Sequence, residues 1–195
     1  MKSSRAAVFL DRDGVLIEDR FPLVDAAEIR VLAGVPAALR KLQQAGFFLA
    51  VVSNQAVVAR GWITPAGLEA LHARMRSLLE AAGAPPLDAV YFCPHHPEAT
   101  LPEYRVICDC RKPRPGLLLR AAGEHGLDLG ASFMVGDRLT DIAAGAAAAC
   151  RTVLVQTGRH AEPPIVAAEP PAAPCRPDHT CPDLPAAAAW ILGEP

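Results

Sequence analysis

The chain has 195 residues, 51% of them apolar and 21% charged, with a net charge of −2. That balance suits one globular domain with a sizeable core, and it excludes a broadly basic nucleic-acid binder. No apolar run approaches the length that spans a bilayer, and the opening MKSSRAAVFLDRDG has too short an apolar run for a signal peptide, so a cytoplasmic protein is expected.

Ala6 to Leu10 is a short apolar run bounded by charge and reads as a buried strand. Asp11, Asp13 and Gly14 follow at its exit. Two acids converging at the carboxyl end of a strand repel each other unless one is protonated or a hard cation such as Mg2+ sits between them. Arg12, between them, is expected to point outward and be chemically idle. Pro22 to Val35 is irregular; Ala37 to Ala45 then shows helical spacing and Gly46 suits its stop. Phe47 to Val52 is a second buried strand, ending in Ser53, Asn54 and Gln55. Thr64-Pro65 is a cap followed by a first-turn proline. The helix behind it places Leu68, Leu71, Met75, Leu78, Leu79 and Ala82 on one core-facing stripe.

Ala89 to Phe92 is a third strand, running into Cys93-Pro-His95-His96 and then Cys108-Asp-Cys110-Arg111-Lys112. A helix through Leu117, Leu118, Ala121 and Ala122 follows, then a strand over Ser132 to Val135 ending in Gly136-Asp137. Asp141 to Cys150 is a small-residue helix suited to close packing on a sheet, with Cys150 read as a small buried apolar residue. Thr152 to Val155 is a fifth strand. Strands alternating with helices predict an α/β fold, a parallel sheet covered on both faces. Residues 1–160 form the domain, with a metal-stapled insertion at 93–110. Residues 161–195 form a Pro- and Ala-rich tail, irregular from Gly158 to Pro185, with a short last helix docking Trp190.

Chemistry gathers at the strand exits. Asp11 is placed to attack phosphorus and form an aspartyl-phosphate, and Asp13 to protonate the leaving alkoxide and then activate water. Ser53 and Asn54 offer donors to phosphoryl oxygens, and Lys112 offers charge to the transferring group. Asp137 suits Mg2+ beside Asp11 and Asp13. Asp141, one turn on, is placed to orient Asp137 or Lys112.

DRDG, the SNQ after the second strand, CRKPRPG and GDRLTD together resemble the four motifs of the haloacid dehalogenase (HAD) superfamily, in its phosphatase branch. CPHHPE followed by CDCRKPRPG resembles, more narrowly, the D-glycero-D-manno-heptose 1,7-bisphosphate 7-phosphatases and the related histidinol-phosphate phosphatase domain. The resemblance covers about Ala6 to Arg159. It implies a Rossmann-like three-layer sandwich with a mainly parallel sheet, the first strand central between the second and fourth, and no large cap. It implies that Arg111 recognises a second anionic group, that Arg138 touches substrate, and that Asp19, Arg20, Asn54 and Gln55 line the substrate mouth. Where that family has Gly-Tyr and Ser-Gly, this chain has Phe21-Pro22 and Ala56-Val57.

Cys93, His95, Cys108 and Cys110 have the pairing of a closed structural zinc site; His96 competes with His95, and the resemblance favours His95. Cys175, His179 and Cys181 lack a fourth ligand and are read as no second site. The activity implied is Mg2+-dependent hydrolysis of the 7-phosphate of a heptose 1,7-bisphosphate to the 1-phosphate, for nucleotide-activated heptose and surface polysaccharide. The expected partner is that small phosphorylated sugar, with no nucleic acid or membrane, and the protein a monomer. The alternatives are histidinol-phosphate hydrolysis, an end phosphatase of nucleic acid, and a zinc-stapled binding module without catalysis.

Overall fold

The computed structural model describes residues 4–161 and 175–194. Its frame is a six-stranded parallel sheet in the order β3-β2-β1-β4-β5-β6. The strands are β1 (Arg5–Leu10), β2 (Phe48–Asn54), β3 (Ala89–Cys93), β4 (Leu127–Gly136), β5 (Arg151–Val155) and β6 (His179–Cys181). The helices are α1 (Val35–Gln44), the single turn α2 (Ala56–Ala59), α3 (Pro65–Ala81), α4 (Gly116–His125), α5 (Leu139–Ala147) and α6 (Leu184–Leu192).

β1 lies in the middle because both its faces are apolar. Val8 and Leu10 join one core with Leu39 and Leu42 of α1, Leu68 and Met75 of α3, and Leu184 and Ala187 of α6. Ala7 and Phe9 point the other way, to Leu117, Leu118 and Ala121 of α4 and Ala144 of α5. Residues that alternate between two buried faces make the unbroken apolar runs of a parallel sheet. The register Leu10↔Val51 and Leu10↔Val135 brings the exits of β2 and β4 level with that of β1. Asp11, Ser53 and Asp137 therefore leave the sheet side by side at its carboxyl edge, where open α/β sheets bind ligands.

Local signals act as anticipated. The Thr64 hydroxyl accepts from the Gly67 N–H at 3.1 Å, and α3 ends at Ala81, which leaves Ala82 exposed rather than on the buried stripe. α5 lies close to the sheet because a Cβ on Gly145 would come within 2.6 Å of Met134 Cβ. The insertion between β3 and α4 holds only the short 3-10 turn Pro102–Tyr104, so no large cap covers the sheet edge. No helix among the described residues is long and apolar enough to cross a membrane.

The tail departs from expectation. Residues 162–174 lie outside the described residues, but β6 adds a strand beside β5 where irregular chain was expected. Asp178 Oδ2 accepts from Thr152 N at 2.7 Å and from Thr152 Oγ1 at 2.9 Å, which fixes this edge. α6 is capped by Asp183, whose carboxylate accepts from Ala186 N, and it packs on α1. Trp190 docks as read: its ring stacks on His179 at 4.7 Å, with Arg151 over it at 4.4 Å. Cys181 is buried, its Sγ facing Asp183 O at 3.5 Å.

Candidate active site

Four elements meet over the exit of β1. Asp11 is held by its own N–H, which donates to Val135 O at 3.0 Å across to β4. Its Oδ1 accepts from Arg12 N at 2.8 Å and lies 3.0 Å from Lys112 Nζ. Lys112 reaches this point from the loop before α4. Its ammonium is 1% exposed and also meets Asp141 Oδ1 at 2.7 Å and Val52 O at 2.7 Å. Burial opposes the charge on Lys112, but Asp11 and Asp141 outweigh it and raise the pKa. Asn54 fixes the loop, donating through Nδ2 to Lys112 O and accepting at Oδ1 from Lys112 N, both at 3.0 Å. The side chain expected at the substrate mouth thus ties β2 to the backbone of Lys112.

Asp137 stands beside Asp11 on the exit of β4 and is 1% exposed. Its Oδ2 accepts from Arg159 N at 2.7 Å, and its buried Oδ1 has no hydrogen-bond partner. Burial, reinforced by Asp11 and Asp141, raises its pKa to about 8. Asp141, in the first turn of α5, accepts at Oδ2 from Arg138 N at 3.0 Å. Its pKa rises to about 6, burial outweighing the opposing pull of Lys112. One oxygen from each of Asp11, Asp137 and Asp141 lies within 4.8 Å of the others. Three carboxylates against one ammonium leave an excess of negative charge, and the unpartnered Asp137 Oδ1 adds a free donor atom. The set fits a hard divalent cation.

One expectation needs correction. Arg12 does not point outward: it is 2% exposed, and its guanidinium spans both oxygens of Asp13 at 2.8–3.2 Å. The Asp13 carboxylate meets Arg12 and Gln55 Nε2, the latter at 3.1 Å, and is not one of the three carboxylates that cluster. Gln55 Nε2 also donates to Ser53 Oγ at 2.9 Å, so Ser53 and Asp13 share one anchor.

The mouth of the site is a cleft lined by Asp13, Asp19, Arg20, Phe21, Asn54 and Gln55. Asp19 meets Arg159 Nε at 2.7 Å and Arg138 at 3.9 Å. Burial raises its pKa against the pull of Arg159. Arg20 lies on the exposed rim with Glu18 at 2.9 Å. Sequence reasoning missed the loop after β5. Thr157 Oγ1 donates to Gly14 O at 2.5 Å, Arg159 holds Asp137, and a Cβ on Gly158 would fall 2.1 Å from Asp137 Oδ2. The one available signal was topological: β5 neighbours β4, so its exit must pass the exit that carries Asp137.

Cys93, His95, Cys108 and Cys110 converge in the insertion. Cys110 Sγ is 3.2 Å from Cys93 Sγ, 3.1 Å from Cys108 Sγ and 3.4 Å from His95 Nδ1. His96 stays apart, its Nδ1 accepting from Glu98 N at 3.1 Å, which separates the two candidate histidines. The thiols are all free. Hydrogen bonding from Cys93 lowers the Cys110 pKa to about 5, while Cys93 is raised, chiefly by its contact with Cys110 and by burial. The S3N donor set fits tetrahedral zinc. Next door, Arg111 Nη1 donates to His95 O at 3.0 Å, tying Arg111 to this cluster.

Known proteins are similar to this chain. A family model described as HAD-hydrolase-like matches residues 109–187. The D-glycero-beta-D-manno-heptose-1,7-bisphosphate 7-phosphatase of Escherichia coli K12 is 44% identical over 164 residues, 84% of this chain and 85% of that protein. The D-glycero-D-manno-heptose-1,7-bisphosphate 7-phosphatase of Thermosynechococcus vestitus is 41% identical over 96% of this chain and 95% of its own. A crystal structure of the D,D-heptose 1,7-bisphosphate phosphatase from B. bronchiseptica, complexed with magnesium and phosphate, superposes with a TM-score of 0.78 at 34% identity, covering 96% of this chain and 98% of that one. With identities above 40% across more than four-fifths of both chains, this chain belongs to the heptose-1,7-bisphosphate 7-phosphatase family of HAD-like hydrolases.

Proposed function

We propose that the protein is a Mg2+-dependent phosphatase that removes the 7-phosphate of D-glycero-D-manno-heptose 1,7-bisphosphate through an aspartyl-phosphate on Asp11. The product, heptose 1-phosphate, would serve nucleotide-activated heptose and surface-polysaccharide synthesis. The observation that carries this reading is the meeting of Asp11, Asp137 and Lys112 at one sheet edge, in a chain 44% identical to enzymes named for this reaction. Histidinol phosphate is the less favoured substrate, because the relatives at 41–44% identity are named for the heptose bisphosphate.

In this reading Asp11 attacks phosphorus, and Lys112 supplies positive charge where the phosphoryl oxygens gather it. Ser53 donates to one of those oxygens. Asp13 gives a proton to the departing sugar oxygen and then takes one from the water that hydrolyses the intermediate. Asp11 and Asp137, with Asp13 beside them, are the residues that would hold Mg2+, and Asp141 fixes Lys112 and the entry to α5. When bound, the ion screens the clustered carboxylates and the phosphoryl charge, so that an anion can be attacked by an anion. Zinc on Cys93, His95, Cys108 and Cys110 would set the position of Arg111, which meets the second anionic group, the 1-phosphate. Arg138, Arg20 and Asp19 would complete the sugar contacts, and Phe21 replaces a family Tyr-bearing segment on the same rim.

The test is phosphate release with Mg2+ from the α and β anomers of the heptose bisphosphate and from histidinol phosphate, against Asp11→Asn as blank. A lead for one heptose anomer of a hundredfold or more in kcat/KM, about 2.7 kcal/mol of discrimination, is the expected result. A lead for histidinol phosphate overturns the substrate, and no turnover above the blank overturns the catalytic reading.

A further inference from the structure

Arg12 is a buried cation whose role the reaction described above does not use. Its guanidinium is 3% exposed, while the Asp13 side chain it grips is 24% exposed and faces the cleft. Nε and Nη2 each lie within 2.8–3.2 Å of both Asp13 oxygens. The third nitrogen, Nη1, is 3.4 Å from Nε2 of His72, which is itself 2% exposed on α3 and packed 5.4 Å from the Phe92 ring. A planar fork of this kind fixes the orientation of a carboxylate as well as its charge, which a lysine does not. On the other side, Gln55 holds Asp13 Oδ2 and is itself tied to Ser53.

We infer that Arg12, braced from behind by His72, is a positioning residue that sets the orientation of Asp13 for proton transfer. The inference rests on the reading of Asp13 as the acid and base of the proposed reaction. In the first half-reaction the Asp13 carboxyl passes its proton to the sugar oxygen as the P–O bond breaks, and Arg12 receives the carboxylate that forms. In the second half the carboxylate takes a proton from water as the water oxygen bonds phosphorus and the bond between Asp11 and phosphorus breaks. Both transfers need the same edge of Asp13 turned to the cleft. The residue that turns it is braced by His72 from α3, an element that supplies no carboxylate to the cluster of Asp11, Asp137 and Asp141.

A positioning role and a merely structural one separate by leaving group. An alkyl ester needs a proton on its leaving oxygen, whereas p-nitrophenolate departs without one. kcat/KM reports the steps up to aspartyl-phosphate formation and is blind to its hydrolysis. For Arg12→Ala, kcat/KM for the heptose bisphosphate is expected to fall about 10²-fold, at the lower end of what general acid catalysis contributes. With p-nitrophenyl phosphate it should fall less than threefold. Arg12→Lys keeps the charge without the fork, and should show about a tenfold loss confined to the alkyl ester; it decides the matter if Arg12→Ala does not fold. Equal losses on both esters, or none on either, overturn the inference. Asp13→Asn is the control: if it discriminates between the esters and the Arg12 variants do not, the inference fails alone. If Asp13→Asn does not discriminate, the acid–base reading fails and the inference with it.

Discussion

Two clusters of metal-ligating side chains stand among the described residues, and they are built in opposite ways. The carboxylates come from three elements far apart in the chain, Asp11 after β1, Asp137 after β4 and Asp141 on α5, and they meet because the sheet brings its strand exits level. Their buried counter-charge, Lys112, is part of the same structure. The thiols come from one short segment, Cys93 to Cys110, with little regular structure and only Cys93 buried. A cluster assembled by the core keeps its shape when its cation leaves. A cluster assembled by a loop takes its shape from the cation. The first should govern chemistry and the second should govern where Arg111 stands.

Substitutions at the first cluster should give the largest effects. Asp11→Asn removes the nucleophile while keeping its shape, and turnover is expected to fall about 10⁴-fold or more with far-UV circular dichroism unchanged. Residual turnover within tenfold of wild type would move the nucleophile elsewhere. Lys112→Met leaves Asp11 and Asp141 buried without their cation, so urea unfolding should show a loss of about 3–5 kcal/mol together with a collapse of activity. A variant that lost activity at full stability would show that the lysine is not what balances the acids.

The second cluster should respond differently. Treatment with a tight zinc chelator, or replacing Cys108 by Ser, is expected to lower kcat/KM for the bisphosphate about tenfold, mainly through KM, while the helical signal persists. Loss of the helical signal on chelation would mean that the loop holds up the core, and the contrast drawn above would fail.

The smallest effect lies behind the first cluster. Burial, with Arg12 and Arg76 close by, lowers the His72 pKa to about 3 from its ordinary 6.5. The unfolded chain takes up a proton below pH 6.5 that the folded protein accepts only near pH 3, so this group makes stability fall as pH drops through that window. Between pH 6.5 and pH 5 the loss is about 2 kcal/mol. Urea unfolding at the two pH values should show that much less acid sensitivity in His72→Leu. Equal sensitivity in both proteins would mean that His72 charges without penalty in the fold.

Much of this was legible in the sequence because the chemistry sits next to strong local signals. DRDG and GDRLTD each follow an apolar run that only a buried strand explains, and the Cys-X-His and Cys-X-Cys pairs carry their own spacing. What was not legible depended on contacts across the fold. Arg12 was read as outward-facing because strand alternation stops being a guide once the chain turns at Asp11. The Thr157 to Arg159 loop has no motif, and it matters only because β5 lies beside β4. β6 is three residues long, too short for a periodic signal, and its anchoring to Thr152 depends on one aspartate, Asp178. The tie between Asn54 and the backbone of Lys112, 58 residues away, has no signal in the sequence.

The central claim is that phosphoryl transfer passes through Asp11. Its most direct test is a rapid acid quench of the enzyme with Mg2+ and the heptose bisphosphate, followed by mass mapping of the peptide that contains Asp11 and Asp13. The account predicts a transient gain of one phosphoryl group on Asp11, absent in Asp11→Asn and without Mg2+. Rapid turnover with that peptide unmodified throughout, or with the group on another residue, would contradict it.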